Sequence, residues 1–179
     1  MKIRKDISAN YRAVFFNGKT IRQRIDNSKP ITTPKFAEIE DVAINAKCLA
    51  ACPYCYTNAL KTGSNFDDII EKVYKVWGVR DNNDKPFQIA IGGAGEPTLH
   101  PQFSEFVKTV KETGIMPNYT TNGMHLSNEV LQATEDYCGG VAVSFHPHIE
   151  KVFHKAMETL STINTKLNCH VIVGDEKSF

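Results

Sequence analysis

Cys48-Leu49-Ala50-Ala51-Cys52-Pro53-Tyr54-Cys55 is the stretch on which the chain turns. One short loop supplies three thiols in a Cys-x3-Cys-x2-Cys spacing, with no fourth cysteine beside them. Iron–sulfur clusters with four irons are usually held by four cysteines, so three ligands would leave one iron open to other chemistry. A structural zinc site takes four ligands, often in two pairs, and no second pair exists here. The spacing favours a cluster. A zinc knuckle or three incidental thiols are the alternatives.

Outward from this loop, strand-like and helix-like segments alternate. Ala37 to Asn45 reads as a strand leading into the cysteines. Residues 66–77 have helical spacing, with Ile69, Ile70, Val73, Tyr74 and Trp77 on one side. Phe87 to Gly92 is a short strand. Phe103, Phe106, Val107 and Val110 mark a helix stopped by Gly114. Pro117 to Thr121 is a third strand, and Ser127 can cap a helix carrying Val130 and Leu131. Val141 to His146 is a fourth strand. Ile149, Val152, Phe153, Ala156, Met157, Leu160 and Ile163 form the clearest amphipathic helix. Leu167 to Gly174 is a fifth strand. This alternation predicts an α/β fold with parallel strands and right-handed crossovers. Ahead of it, Asn17-Gly18 between two alternating runs predicts a β-hairpin. Pro30 and Pro34 mark a linker, giving an extension at 1–34 and a core at 35–179.

The unusual residues fall at strand ends. Strand two ends in Gly92-Gly93-Ala94-Gly95-Glu96-Pro97, strand three in Thr120-Thr121-Asn122-Gly123, and strand four in Ser144-Phe145-His146. In β/α barrels that rim carries the active site. Along strands two and four one face is bulky and apolar, while the other is small or polar: Gln88, Ala90 and Gly92, then Ala142, Ser144 and His146. In strand five, Cys169, Val171 and Val173 oppose His170, Ile172 and Gly174. A cavity for a polar ligand explains the small faces better than a solvated face does, since parallel sheets are rarely exposed.

The totals set limits. The chain has 179 residues, 41% hydrophobic and 23% charged, with formal net charge +1. These suit one domain and give no electrostatic case for nucleic acid or an anionic membrane. Five cysteines, three of them packed together, do not form a secreted disulfide framework. No signal peptide or membrane span is evident, so the sequence reads as cytoplasmic.

The loop Cys-x3-Cys-x-aromatic-Cys, with Tyr54 as its aromatic residue, resembles the cluster-binding loop of the radical S-adenosylmethionine (radical SAM) enzymes. The resemblance spans most of residues 36–174. It implies a [4Fe–4S] cluster on Cys48, Cys52 and Cys55, and S-adenosylmethionine chelated on the open iron. An external one-electron reductant would drive cleavage to a 5′-deoxyadenosyl radical, which abstracts hydrogen from a substrate. The run 92–97 resembles the family's Gly-Gly-Glu motif, with Ala94-Gly95-Glu96 in register. It implies that Gly93, Gly95 and Glu96 form the cofactor site and that Glu96 meets the methionine amino group. An exposed glutamate before a proline turn is the bland reading. Asn122 and Ser144 match positions that contact ribose or carboxylate. Ile172-Val173-Gly174 resembles part of a motif behind the adenine, with Lys177 where its glutamate falls. Tyr54 would line the adenine side.

Cys138 and Cys169 read as buried small hydrophobes, and Lys61, Lys108 and Lys111 as solvated charges. His146 and His148 are expected at the cavity mouth, while His100 and His125 lie in loops. The family builds a partial barrel of six β/α units; about five are legible here. A longer parent chain, a compact family member or a partner subunit that completes the sheet are the competing explanations. A peptide or protein substrate fits an open side. A glycyl-radical activase, a deazapurine-type synthase, or a non-catalytic cluster- or zinc-binding module remain as alternatives.

Overall fold

The structure is a computed structural model that describes residues 1–59 and 61–172. Val173, Gly174 and Lys177 lie outside the described residues. Two sheets organise the chain. The first is antiparallel, in the order β1 (Lys2–Asp6), β2 (Tyr11–Phe16), β3 (Lys19–Arg24). The predicted hairpin is β2–β3, paired from Tyr11↔Arg24 to Phe16↔Lys19. Its two-residue turn places Asn17 at φ 50 and Gly18 at φ 69. That left-handed pair matches the strand twist and is open to asparagine and glycine at little cost. Strand β1 adds a third member that the sequence pattern had not shown.

The second sheet is wholly parallel, in the order β4 (Ile39–Val42), β5 (Gln88–Ile91), β6 (Met116–Thr121), β7 (Gly140–Phe145), β8 (Leu167–Val171). Strand order equals chain order, as successive right-handed β/α units require. The helices are α1 (Ile69–Val73), α2 (Phe103–Glu112), α3 (Asn128–Tyr137) and α4 (Glu150–Ser161). Ser127 caps α3 by accepting from the Val130 amide at 3.3 Å.

Alternation decides which face of each strand is covered. Ile89, Ile91, Tyr119, Val141 and Val143 are buried against Val73, Phe103, Phe106, Val107, Val110, Val130 and Leu160 of the helices. Phe145 meets Phe153 of α4 edge-on at 5.2 Å. A second cluster joins the sheets: Tyr11, Ala13 and Phe15 of β2 pack on Phe87, with Phe36 and Met116 at its margin. The Phe15 and Phe87 rings stack at 5.4 Å, and the Arg4 guanidinium lies 4.8 Å from the Phe87 centroid.

Three expectations are corrected. The helix read over 66–77 begins only at Ile69, because Asp68 is left-handed (φ 55), and a π turn over Tyr74–Gly78 replaces its second half. Tyr74 is consequently exposed, while Trp77 stays buried and donates to Glu40 at 2.8 Å. Strand β8 does not bury an apolar face; Val171 and Cys169 are exposed. Among the described residues β8 pairs only with β7, and of its residues only Leu167 packs against the main core. Lys111, read as solvated, is half-buried with its ammonium 3.2 Å from Met116 sulfur.

Candidate functional site

The C-terminal ends of β5, β6 and β7 and the loop after β4 converge on one open cleft of about 170 Å³. Cys48, Cys52, Tyr54, Cys55, Gly93, Gly95, Glu96, Asn122, Ser144 and Ile172 all line it. The sequence singled out these ten residues from five separate segments, and the fold brings them together. His146 also lines the cleft, whereas Cys138, Cys169, His100 and His125 do not. His100 is buried elsewhere, its Nε2 3.0 Å from the Phe66 carbonyl oxygen, which makes it a structural residue.

Each loop is held in place by the next. Asn45, 1% exposed, donates to the Glu96 carbonyl at 2.8 Å, and the Glu96 amide donates to the Lys47 carbonyl at 2.8 Å. The cysteine loop and the glycine loop therefore touch through backbone. Gly95 is where they are closest: a Cβ there would lie 2.6 Å from both Asn45 Oδ1 and the Lys47 carbonyl oxygen. At Gly93 a Cβ would meet nothing within 4 Å, so its backbone faces open space.

Glu96 is 3% exposed, which removes the exposed-turn reading. Its carboxylate accepts from Thr98 Oγ1 (2.8 Å), the Thr98 amide (3.3 Å), Thr121 Oγ1 (2.7 Å) and the Asn122 amide (2.7 Å). It thereby caps the turn Pro97–Leu99 and ties the ends of β5 and β6 together. Burial raises its pKa, and the four donors oppose that rise. Thr98 and Thr121 were missed in the sequence as Glu96 partners. Thr121 comes from another strand, so no local pattern signals it.

The thiols differ. Burial raises Cys48, and the nearby Glu96 carboxylate adds to the rise, although Asn122 Nδ2 donates to its sulfur at 3.4 Å. Burial and the other two cysteines raise Cys52. Cys55 is lowered, chiefly by Thr57 Oγ1, 3.3 Å from its sulfur, and by neighbouring amides. Cys55 is thus the readiest of the three to lose its proton.

Three thiols in one cleft are the type of donor a multi-iron cluster takes. Among the described residues, no three His, Cys, Asp or Glu side chains gather closely enough to hold one metal ion. A single zinc needs sulfurs all about 2.3 Å from one point. A cluster instead takes one thiolate per iron and spreads its ligands. The three thiols line one cleft.

No family model matches the chain. It is 34% identical over 105 residues to a Methanocaldococcus jannaschii protein provisionally named a glycyl-radical enzyme activating enzyme, covering 57% of this chain and 39% of that one. It is 29% identical over 89 residues to the tungsten-containing aldehyde ferredoxin oxidoreductase cofactor-modifying protein of Pyrococcus furiosus, covering 50% and 25%. The chain thus spans less than two-fifths of the length of these relatives. Its fold is shared with BtrN, solved in complex with AdoMet and 2-DOIA (TM-score 0.58, 21% identity, 78% of this chain and 58% of that one). It is shared also with Streptococcus suis SuiB bound to precursor peptide SuiA (TM-score 0.60, 15% identity, 79% and 34%). These are radical SAM-type proteins, and all are distant from this chain. The relatives are enzymes or activases. No helix among the described residues is long and apolar enough to cross a membrane.

Proposed function

We propose that residues 35–179 are the catalytic core of a radical SAM enzyme, with residues 1–34 as an extension packed beneath it. In this reading Cys48, Cys52 and Cys55 hold a [4Fe–4S] cluster, and S-adenosylmethionine binds beside it. When bound, the pair would supply reductive cleavage of the sulfonium and so radical chemistry. The observation that carries the reading is the convergence of three thiols, a glycine-rich strand end and the Asn122 and Ser144 strand ends on one cleft.

The chain's own residues have separable parts. The three thiolates bind metal. The Gly93 backbone, open to the cleft, admits a ligand close to the strand end. Glu96 gives the cleft a negative floor beside which a cationic amine is favoured. Its oxygens already serve Thr98, Thr121 and Asn122, so its role is as much to set the shape of the site as to touch the ligand. Asn122 and Ser144 offer an amide and a hydroxyl suited to sugar hydroxyls or a carboxylate. Tyr54 and Ile172 offer flat and apolar surface for adenine.

A peptide or protein is the substrate class we favour. The support is the fold shared with SuiB, which was solved with a precursor peptide. An external one-electron donor completes the reaction. Anaerobic reconstitution with iron and sulfide, followed by reduction with S-adenosylmethionine, tests the proposal. Formation of 5′-deoxyadenosine, abolished by alanine at Cys48, Cys52 or Cys55 but not at Cys138 or Cys169, is expected. Uptake of one zinc without that product would replace the proposal with a binding module.

A further inference from the structure

We propose that the turn after β7 latches the three-cysteine loop through two histidines, making His146 and His148 positioning residues for the thiols. This rests on reading that loop as the cluster's ligand set. Residues 48–55 belong to no helix or strand. Ala51 is left-handed at φ 50, and the loop's internal backbone support is the Cys55 amide on the Cys52 carbonyl at 3.1 Å. Such a segment needs outside anchors to hold three sulfurs in one geometry.

Two anchors come from one place. His148 Nε2 lies 2.8 Å from the Ala50 carbonyl oxygen, across 98 residues of sequence. A carbonyl only accepts, so Nε2 carries the proton. His146 Nδ1 lies 2.9 Å from the Tyr54 hydroxyl. Ala50 sits between Cys48 and Cys52, and Tyr54 between Cys52 and Cys55, so each inter-cysteine segment receives one fastening. The two imidazoles are spaced by the 3₁₀ turn Pro147–Ile149, closed by the Ile149 amide on the His146 carbonyl at 3.0 Å. The rings then pack as a trio: Tyr54 to His146 at 5.8 Å, Tyr54 to His148 at 6.3 Å, and His146 to His148 at 5.9 Å. A solvated loop histidine would show none of this. The latch couples the β7–α4 turn to the sulfurs without touching any of them.

The test begins with metal-free protein, so it does not depend on cluster chemistry. Thiol labelling, resolved by mass spectrometry, should speed up at Cys48 and Cys52 by about fivefold in His148→Ala, the factor expected for one lost net hydrogen bond. His148→Gln, whose amide can still donate to the Ala50 carbonyl, should restore the slow rate. Tyr54→Phe and His146→Ala should each accelerate labelling, and the double variant should add little, since both remove one interaction. Unchanged rates in folded variants would overturn the latch. Equal acceleration at Cys138 would also overturn it, by showing general loosening. In reconstituted protein the cluster's midpoint potential should move in His148→Ala and return in His148→Gln; a potential identical in all three refutes positioning. If the wild type forms no cluster, the proposed function falls while the labelling still decides the latch.

Discussion

Glu96 shows how far a residue's role can shift between sequence and fold. Its place after a glycine run is legible in the sequence. Its burial under Thr98, Thr121 and Asn122 is not, because two of these residues, Thr121 and Asn122, come from the end of another strand. Removing the carboxylate strands four buried donors on three residues, so Glu96→Ala should cost about 3 kcal/mol by chemical denaturation. It should also weaken S-adenosylmethionine binding by calorimetry with the thiols intact. His146 carries a pH dependence. Burial and then the neighbouring His148 hold its pKa below the ordinary value of 6.5, so the folded protein takes up that proton less readily than the unfolded chain. Its contribution is full above 6.5 and is lost as pH falls through the lowered value. The urea midpoint should therefore drop between about pH 7.5 and about pH 5.5, and His146→Gln should flatten that drop. The cysteine loop itself was readable from three residues and a spacing. What the spacing could not convey is that the thiols are unequal, because Thr57 and Asn122 act through side chains.

At the scale of elements, the two loops above β4 and β5 meet without room to spare. Gly95→Ala would drive a methyl into the Lys47 backbone, and backbone cannot swing aside as a flexible side chain can. The variant should fold, since the helices and sheet lie elsewhere, but bind neither cluster nor cofactor; circular dichroism against iron content measures the split. The readable elements are those whose burial is periodic. In β5, Ile89 and Ile91 are buried while Gln88 and Ala90 are half-buried, and the alternation is plain. Strand β1 was not legible because Arg4 is its one buried residue, and arginine does not advertise a core position. Its burial comes from Phe87 and Phe36, far away in sequence. Helix α1 was overextended because Trp77 keeps the helical rhythm while the backbone widens into a π turn.

Over the whole molecule, two apolar clusters meet at β5 and the residue before it. Phe87 closes the lower aromatic cluster, and Ile89 and Ile91 belong to the main core. Burial of Phe87 is complete, at 0% exposure, so Phe87→Ala should cost about 4 kcal/mol. Calorimetry should then resolve two transitions where the wild type gives one, with the antiparallel sheet melting first. A single lowered transition would mean that the sheets do not depend on this ring for their union. The segment from Phe87 to Glu96 consequently works as a strut. One end is clamped between aromatic rings and a guanidinium, the other is pinned beneath the sulfurs. Displacing β1 or β2 from their seat would therefore be felt at the glycine loop and the sulfurs above it, at the far end of the same segment.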